Sequence, residues 1–160
     1  MAAENTKSFL DSLNLRERSE LLERSTTREF KTGDLLIVEG STGDSMLVID
    51  SGKLNVNRGE LTLAQVGKGA VVGEMSLLDP AARSASVIAT SKGKAYEFQR
   101  ETFLAMLQAG DSTSLALLRL LTETVCTRLG RVNKMVQDEV VKPQKEGGFR
   151  GLWNRIRSAL

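Results

Sequence analysis

Residues 67–87 read Gly67-Lys68-Gly69-Ala70-Val71-Val72-Gly73-Glu74-Met75-Ser76-Leu77-Leu78-Asp79-Pro80-Ala81-Ala82-Arg83-Ser84-Ala85-Ser86-Val87, and the fold turns on how this stretch is taken. Glycines at 67, 69 and 73 give G-x-G-x-x-x-G, the wrong spacing for a dinucleotide fingerprint. That fingerprint also needs a long helix on a parallel sheet, and here Asp79-Pro80 stops any helix within two turns. No G-x-x-x-x-G-K-S/T loop occurs anywhere in the chain. Physically the stretch still suits an anion. Gly73 allows a tight turn where a strand ends, and Glu74–Leu78 can form a turn of helix whose first N–H groups face outward. The proline-bearing loop can fold Arg83 back so that its guanidinium makes a bidentate contact with a phosphate. Glu74 repels a phosphate, so a hydroxyl donor such as a sugar is its natural partner. On the residues alone a plainer alternative stays open, in which Glu74 and Arg83 pair with each other and close the loop, an interaction usually worth little.

Outward from this segment, residues 35–98 read as short strands separated by Gly, Asp, Asn and Ser clusters. The candidate strands are Leu35–Val38, Met46–Ile49, Lys53–Val56, Leu61–Val66, Ser84–Ala89 and Lys94–Phe98, with Asn57-Arg58-Gly59-Glu60 as a hairpin tip. Strands at this spacing predict a sandwich or barrel. Before them, residues 9–29 read as helical. Phe9, Leu10 and Leu13 share one side, Asn14 with Glu17 forms a capping box, and Leu15, Leu21 and Leu22 supply the apolar face of a second short helix. A turn follows at Lys31-Thr32-Gly33-Asp34.

After Arg100 the helical period returns. Phe103, Leu104 and Leu107 define a short helix ending near Gly110, and Asp111 or Ser112 caps a long one that stops before Pro143. Leu118, Thr122, Val125, Leu129, Val132 and Val136 step by four and three along it, an a/d seam weakened by Thr122 and Gly130. Such a seam serves either packing on the barrel or a homodimer through the 112–141 helix. Residues 142–148 have linker composition, and Phe149, Leu152, Trp153, Ile156 and Leu160 share one face of a basic amphipathic segment, 149–160. That tail suits a membrane surface, a groove on a protein partner, or its own domain.

Composition closes off several function classes. With no histidine there is no Ser-His-Asp or Cys-His pair and no His-ligated metal. Cys126 is alone, so neither an internal disulfide nor a thiolate zinc site can form, and a reducing, cytoplasmic setting is expected. No second catalytic group stands beside Glu74 in any motif, so the expectation is a binding module and not an enzyme, with no catalytic residue, metal or cofactor. The longest aliphatic run, Leu35–Val38, is far short of the roughly 18 residues of a membrane span, and the N-terminus carries Glu4 and no apolar core of a secretory signal. Net charge is +2, but residues 142–160 alone carry +4, which leaves the remainder at −2. A near-neutral body argues against a general nucleic-acid binder.

The segment Gly73-Glu74-Met75-Ser76-Leu77-Leu78 with Arg83-Ser84-Ala85-Ser86-Val87 resembles the phosphate-binding cassette of cyclic-nucleotide-binding domains, the family of the bacterial catabolite activator protein, protein kinase A regulatory subunits and cyclic-nucleotide-gated channels. The likeness extends upstream through Phe30–Asp34, Glu39-Gly40, Met46–Ile49 and Ser51–Val56, and covers about residues 9 to 140. It implies an α+β fold, an eight-stranded antiparallel β jelly roll flanked by N-terminal helices and a long C-terminal helix. The implied organisation is a ligand domain over 1–141 (helices 9–29, β-roll 30–99, helices 100–141), then the linker and the tail. By the same resemblance Glu74 accepts the ribose 2′-hydroxyl and Arg83 pairs with the cyclic phosphate. Backbone N–H groups of Ser76 and Ser84 complete the cradle, with the Ser84 hydroxyl in reach, and Gly73 and Met75 belong to the same turn. Val56, Val66 and Val72 wall the base, and Arg128, Arg131, Val132 or Asn133 on the long helix lid it. Two departures stand out: Val72 where the family often has an aromatic, and Ala81-Ala82 between Pro80 and Arg83. The implied ligand is cAMP or cGMP, and the implied function a stand-alone sensor of bacterial type. It would signal in trans, without a DNA-binding domain, in the cytoplasm or at the periphery of a membrane. The alternatives are an adaptor of the same fold that binds no nucleotide, or a sensor of another phosphorylated ligand such as a cyclic dinucleotide.

Overall fold

A computed structural model describes residues 9–141, 153–154 and 156–158. The chain divides into two compact units, residues up to Leu120 and residues from Leu121 on, and each is described by itself.

The first unit opens with a 3₁₀ turn, Phe9–Ser12, followed by helix α1, Leu15–Glu23. The capping box forms as the sequence predicts: Asn14 Oδ1 accepts from the Glu17 N–H at 2.9 Å, and Glu17 Oε2 accepts from the Asn14 N–H at 2.9 Å. The helical reading of 9–29 needs correction beyond that point, because Thr26–Phe30 is strand β1 and not helix. Its two β-branched residues and its pairing with the last strand outweigh the helical spacing that precedes them. Leu15 also departs from its expected place on the buried face, since it is 87% exposed, while Leu21 is fully buried.

Seven further strands follow: β2 Leu35–Ile37, β3 Ser45–Ser51, β4 Lys53–Arg58, β5 Leu61–Gly67, β6 Val71–Val72, β7 Ser86–Ala89 and β8 Gly93–Gln99. They form two four-stranded antiparallel sheets, β1-β8-β3-β6 and β2-β7-β4-β5. This is the eight-stranded jelly roll, with strand structure starting at Thr26. The expected hairpin tip narrows to Gly59-Glu60 between β4 and β5. Phe30, Leu36, Ile37, Leu47, Ile49, Leu54, Val72, Val87, Ala89 and Ala95 make one buried cluster, and Val56, Val66 and Ala70 pack against it. Strand β3 is buried along five consecutive residues, so it does not alternate. Leu47 and Ile49 join the cluster, and Met46 and Val48, on the opposite face of the strand, are equally buried.

Helix α2, Met75–Leu78, packs on β3, and helix α3, Arg100–Gln108, on α2 and β8. Helix α4, Ser112–Val141, begins in the first unit. Asp111 caps it, Oδ1 accepting from the N–H groups of Thr113 at 2.9 Å and Ser114 at 3.1 Å. The buried Thr113 hydroxyl donates to Glu20 Oε2 at 2.7 Å, a bond that ties the root of α4 to α1.

In the second unit, α4 carries Val125 and Val132 half-buried, with Leu129 58% and Val136 36% exposed. The predicted linker, 142–148, lies outside the described residues, as does all of the tail except residues 153–154 and 156–158. These few are helical, with Trp153 exposed. No helix among the described residues is long and apolar enough to cross a membrane.

Candidate functional site

Strand β6 ends at Val72, and the chain turns through Gly73 into α2. Gly73 has φ +73°, a conformation that side chains resist, and a Cβ there would strike Nη1 of Arg83. Glycine at this position is therefore a matter of two constraints, the turn itself and the close approach of a guanidinium. Glu74 and Ser76 are buried at 5% exposure, while Met75 is 43% exposed. The Ser76 N–H, which the resemblance assigns to an anion cradle, donates to Gly73 O at 3.1 Å within the turn. Ser84 is exposed at the far end of the loop.

Arg83 is the centre of the arrangement, at 9% exposure. Its Nη1 donates to Gly73 O at 3.0 Å and to Ser76 Oγ at 2.8 Å, and its Nη2 to Ser45 O at 2.7 Å and Ser45 Oγ at 3.3 Å. Four bonds thus fix both ends of the fork, and Nε donates to none of the described residues. The ion pairs among the described residues do not include Arg83 with Glu74, so the loop is not closed by the simple salt bridge that the sequence allowed. Desolvation pushes the Arg83 guanidinium below the ordinary arginine range, and the charges of Asp44, then Glu97, then Glu74 act against that shift. An arginine remains a cation there. Glu74 is thus buried within the electrostatic reach of Arg83.

The loop before β3 is the part that sequence reasoning missed. It zips onto the cassette: the Gly40 N–H donates to Arg83 O at 2.9 Å, the Arg83 N–H to Ser41 O at 2.8 Å, and Thr42 bridges Ala82. Gly43 crosses so close that a Cβ would overlap the Ser76 hydroxyl and reach 3.1 Å from Arg83 Nε. Asp44 and Ser45 then enter the site. The local signal there is the Ser41–Asp44 cluster between the expected strands Leu35–Val38 and Met46–Ile49, a turn cue that carries no sign of what the loop touches.

The residues expected to wall a base lie in the β-roll. Val72 is buried in the roll, with Val56 and Val66 half-buried against the same cluster. Of the lid candidates, Arg131 and Asn133 are exposed and Val132 half-buried, all in the second unit, and the side chain of Arg128 lies outside the described residues. Among the described residues no cluster of three or more acidic, cysteine or histidine side chains suits a metal ion.

Three comparisons bear on this site. The chain is 38% identical over 99 residues to a cAMP-dependent protein kinase regulatory subunit of Hypocrea atroviridis, covering 62% of this chain and 21% of that protein. Its fold matches a co-crystal structure of the regulatory domain of Toxoplasma gondii PKA with cAMP, with TM-score 0.55 and 31% identity, over 61% of this chain and 39% of that one. It also matches the regulatory subunit of a cAMP-independent protein kinase A from Trypanosoma brucei, with TM-score 0.63 and 26% identity, over 74% of this chain and 42% of that one. The chain spans only about a fifth of the length of the first curated relatives it matches. The family model described as "Cyclic nucleotide-binding domain" matches residues 27–109, from the first strand to the end of α3 and more than half of the chain. With the jelly roll and the Gly73–Arg83 turn in place, the chain belongs to the cyclic nucleotide-binding domain family.

Proposed function

We propose that this chain binds cAMP or cGMP at the 73–84 turn and passes the event to a partner in trans. One observation carries the reading: Arg83 is a buried cation that no carboxylate among the described residues neutralises as an ion pair. A buried charge in that state is costly, and an incoming anion relieves the cost. The uncommitted Nε edge of the guanidinium is where a phosphate oxygen would dock, and the buried Glu74 carboxylate suits the ribose 2′-hydroxyl. Val56, Val66 and Val72 offer apolar surface to the base, and Arg131, Val132 and Asn133, with Arg128, are proposed as its lid.

Residues 1–141 act as the ligand domain in this reading, 142–148 as a linker and 149–160 as the output tail toward a protein partner or a membrane. The outward-facing Leu129 and Val136 support a homodimer along the 112–141 helix. Binding shifts the protein toward whichever state holds ligand more tightly, and the domain regulates without catalysing a reaction.

A second reading is an adaptor, or a sensor of another phosphorylated ligand such as a cyclic dinucleotide. Two facts favour it. The four bonds from Arg83 already satisfy both Nη atoms without a ligand, and one structural relative is described as cAMP-independent. Titration calorimetry with cAMP and with cGMP, beside Arg83→Ala, separates the two. Micromolar or tighter binding that Arg83→Ala abolishes establishes the sensor. A folded protein that binds neither nucleotide is the adaptor, or takes a different phosphorylated ligand.

A further inference from the structure

The guanidinium of Arg83 is one end of a charged row that crosses three strands. Ser45 opens β3, Glu97 lies in β8 and Arg28 in β1, and β8 pairs with both of the others. The register sets Glu97 opposite Leu47 and Thr26, Ser45 opposite Gln99, and Arg28 opposite Ala95. Ser45, Glu97 and Arg28 are therefore diagonal neighbours on one face of the sheet. Ser45 Oγ lies 3.0 Å from Glu97 Oε1, and Glu97 Oε2 lies 3.7 Å from Arg28 Nη1, which in turn donates to Leu36 O at 3.2 Å.

The direction of this row follows from proton counting. An arginine can only donate, so the Ser45 hydroxyl accepts from Arg83 Nη2. Its single proton is then committed to Glu97, which as a carboxylate can only accept. Ser45 is 4% exposed, which leaves water little share in either bond. A charge at Glu97 thus polarises the hydroxyl toward Arg83, and Arg28 holds the carboxylate from the other side.

We propose that Glu97 is a positioning residue: acting through the Ser45 hydroxyl, it completes the set of bonds, with those to Gly73 O, Ser76 Oγ and Ser45 O, that holds the rotation of the Arg83 guanidinium so that the Nε edge is presented to the ligand phosphate. Its consequence for affinity rests on the cyclic-nucleotide reading above, whereas its consequence for Arg83 does not. No motif in the cassette contains Ser45 or Glu97, and the two are 52 residues apart in sequence.

The test uses the full chain and two readouts. In ligand-free protein labelled with ¹⁵N-arginine, the Arg83 side chain, assigned from the signal missing in Arg83→Lys, should give separate, slowly exchanging Nη resonances. Ser45→Ala and Glu97→Ala should merge them, Ser45→Thr should keep them apart, and melting temperatures identify any variant that has lost its fold. Resonances that stay separate in folded Ser45→Ala and Glu97→Ala, or that are already merged in the wild type, overturn the proposal. In calorimetry with cAMP or cGMP, the two alanine variants should bind about tenfold more weakly, with Ser45→Thr close to wild type. Neither alanine change should weaken binding further in an Arg83→Lys background, and a further tenfold loss there would show that Glu97 does not act through Arg83. Wild-type protein with fixed Arg83 resonances and no affinity for either nucleotide overturns the ligand assignment and leaves the positioning of Arg83 established.

Discussion

The turn around Arg83 and the helix beyond Leu121 solve the same problem in opposite ways. In the turn, polar groups are buried and their hydrogen bonds are met close by, from Gly73, Ser76 and Ser45. Along α4 in the second unit the residues left outward include Leu129 and Val136, which are apolar. One region has most of its polar groups met by its own chain, with a buried cation at its centre. The other has surface whose burial would be favourable and which the described residues do not cover. The difference teaches that the two regions are built on separate physics, electrostatics in a tight polar cage and exposed apolar surface along a helix.

That contrast can be broken at its strongest point first. Arg83→Ala removes a cation and strands the acceptors around it, so nucleotide affinity measured by calorimetry should fall about a hundredfold or more. Retained affinity would mean that the cage is not the ligand site. Gly43→Ala forces a methyl into the Ser76 hydroxyl and toward Arg83, and chemical denaturation should show a loss of about 1–3 kcal/mol, with weaker nucleotide binding in the folded fraction. No change would show that the crossing loop gives way easily. Asn14→Ala breaks the capping box on α1, at a distance in sequence from both regions, and should cost about 1 kcal/mol in the same assay while affinity stays the same. The smallest effect on stability belongs to Leu129→Ser, expected within about 0.5 kcal/mol for a separate copy. It should nonetheless lower the molar mass seen by light scattering if two copies pair along the helix, and an unchanged mass would set that pairing aside.

How much of this was legible in the sequence depends on the range over which each signal acts. The Asn14–Glu17 box, the α3 and α4 limits and the central strands are local patterns, and the structure has them where they were read. Leu21 and Leu22 continue a helical period toward Thr26, so the local pattern predicts helix where strand β1 lies. What makes Thr26–Phe30 a strand is its pairing with β8, near the other end of the roll. Strand β6 is Val71–Val72 alone, too short to show any period. In the site, Gly73, Glu74 and Arg83 belong to one contiguous motif, so their meeting could be anticipated. Their neighbours Gly43, Asp44, Ser45 and Glu97 arrive from strands β3 and β8 and the loop between β2 and β3, and only the sheet register brings them in.

The bond between Glu20 and the Thr113 hydroxyl joins residues 93 apart, and strand β1 likewise finds its partner only in β8. As the chain leaves a ribosome, α1 and β1 emerge first and wait for most of the domain before either can be completed. Until then β1 has no partner strand, and even in the finished sheet it is an edge strand, paired only with β8. Closure of the roll is consequently a late, long-range event, and a high contact order of this kind sets folding on the slow side for a domain of this size.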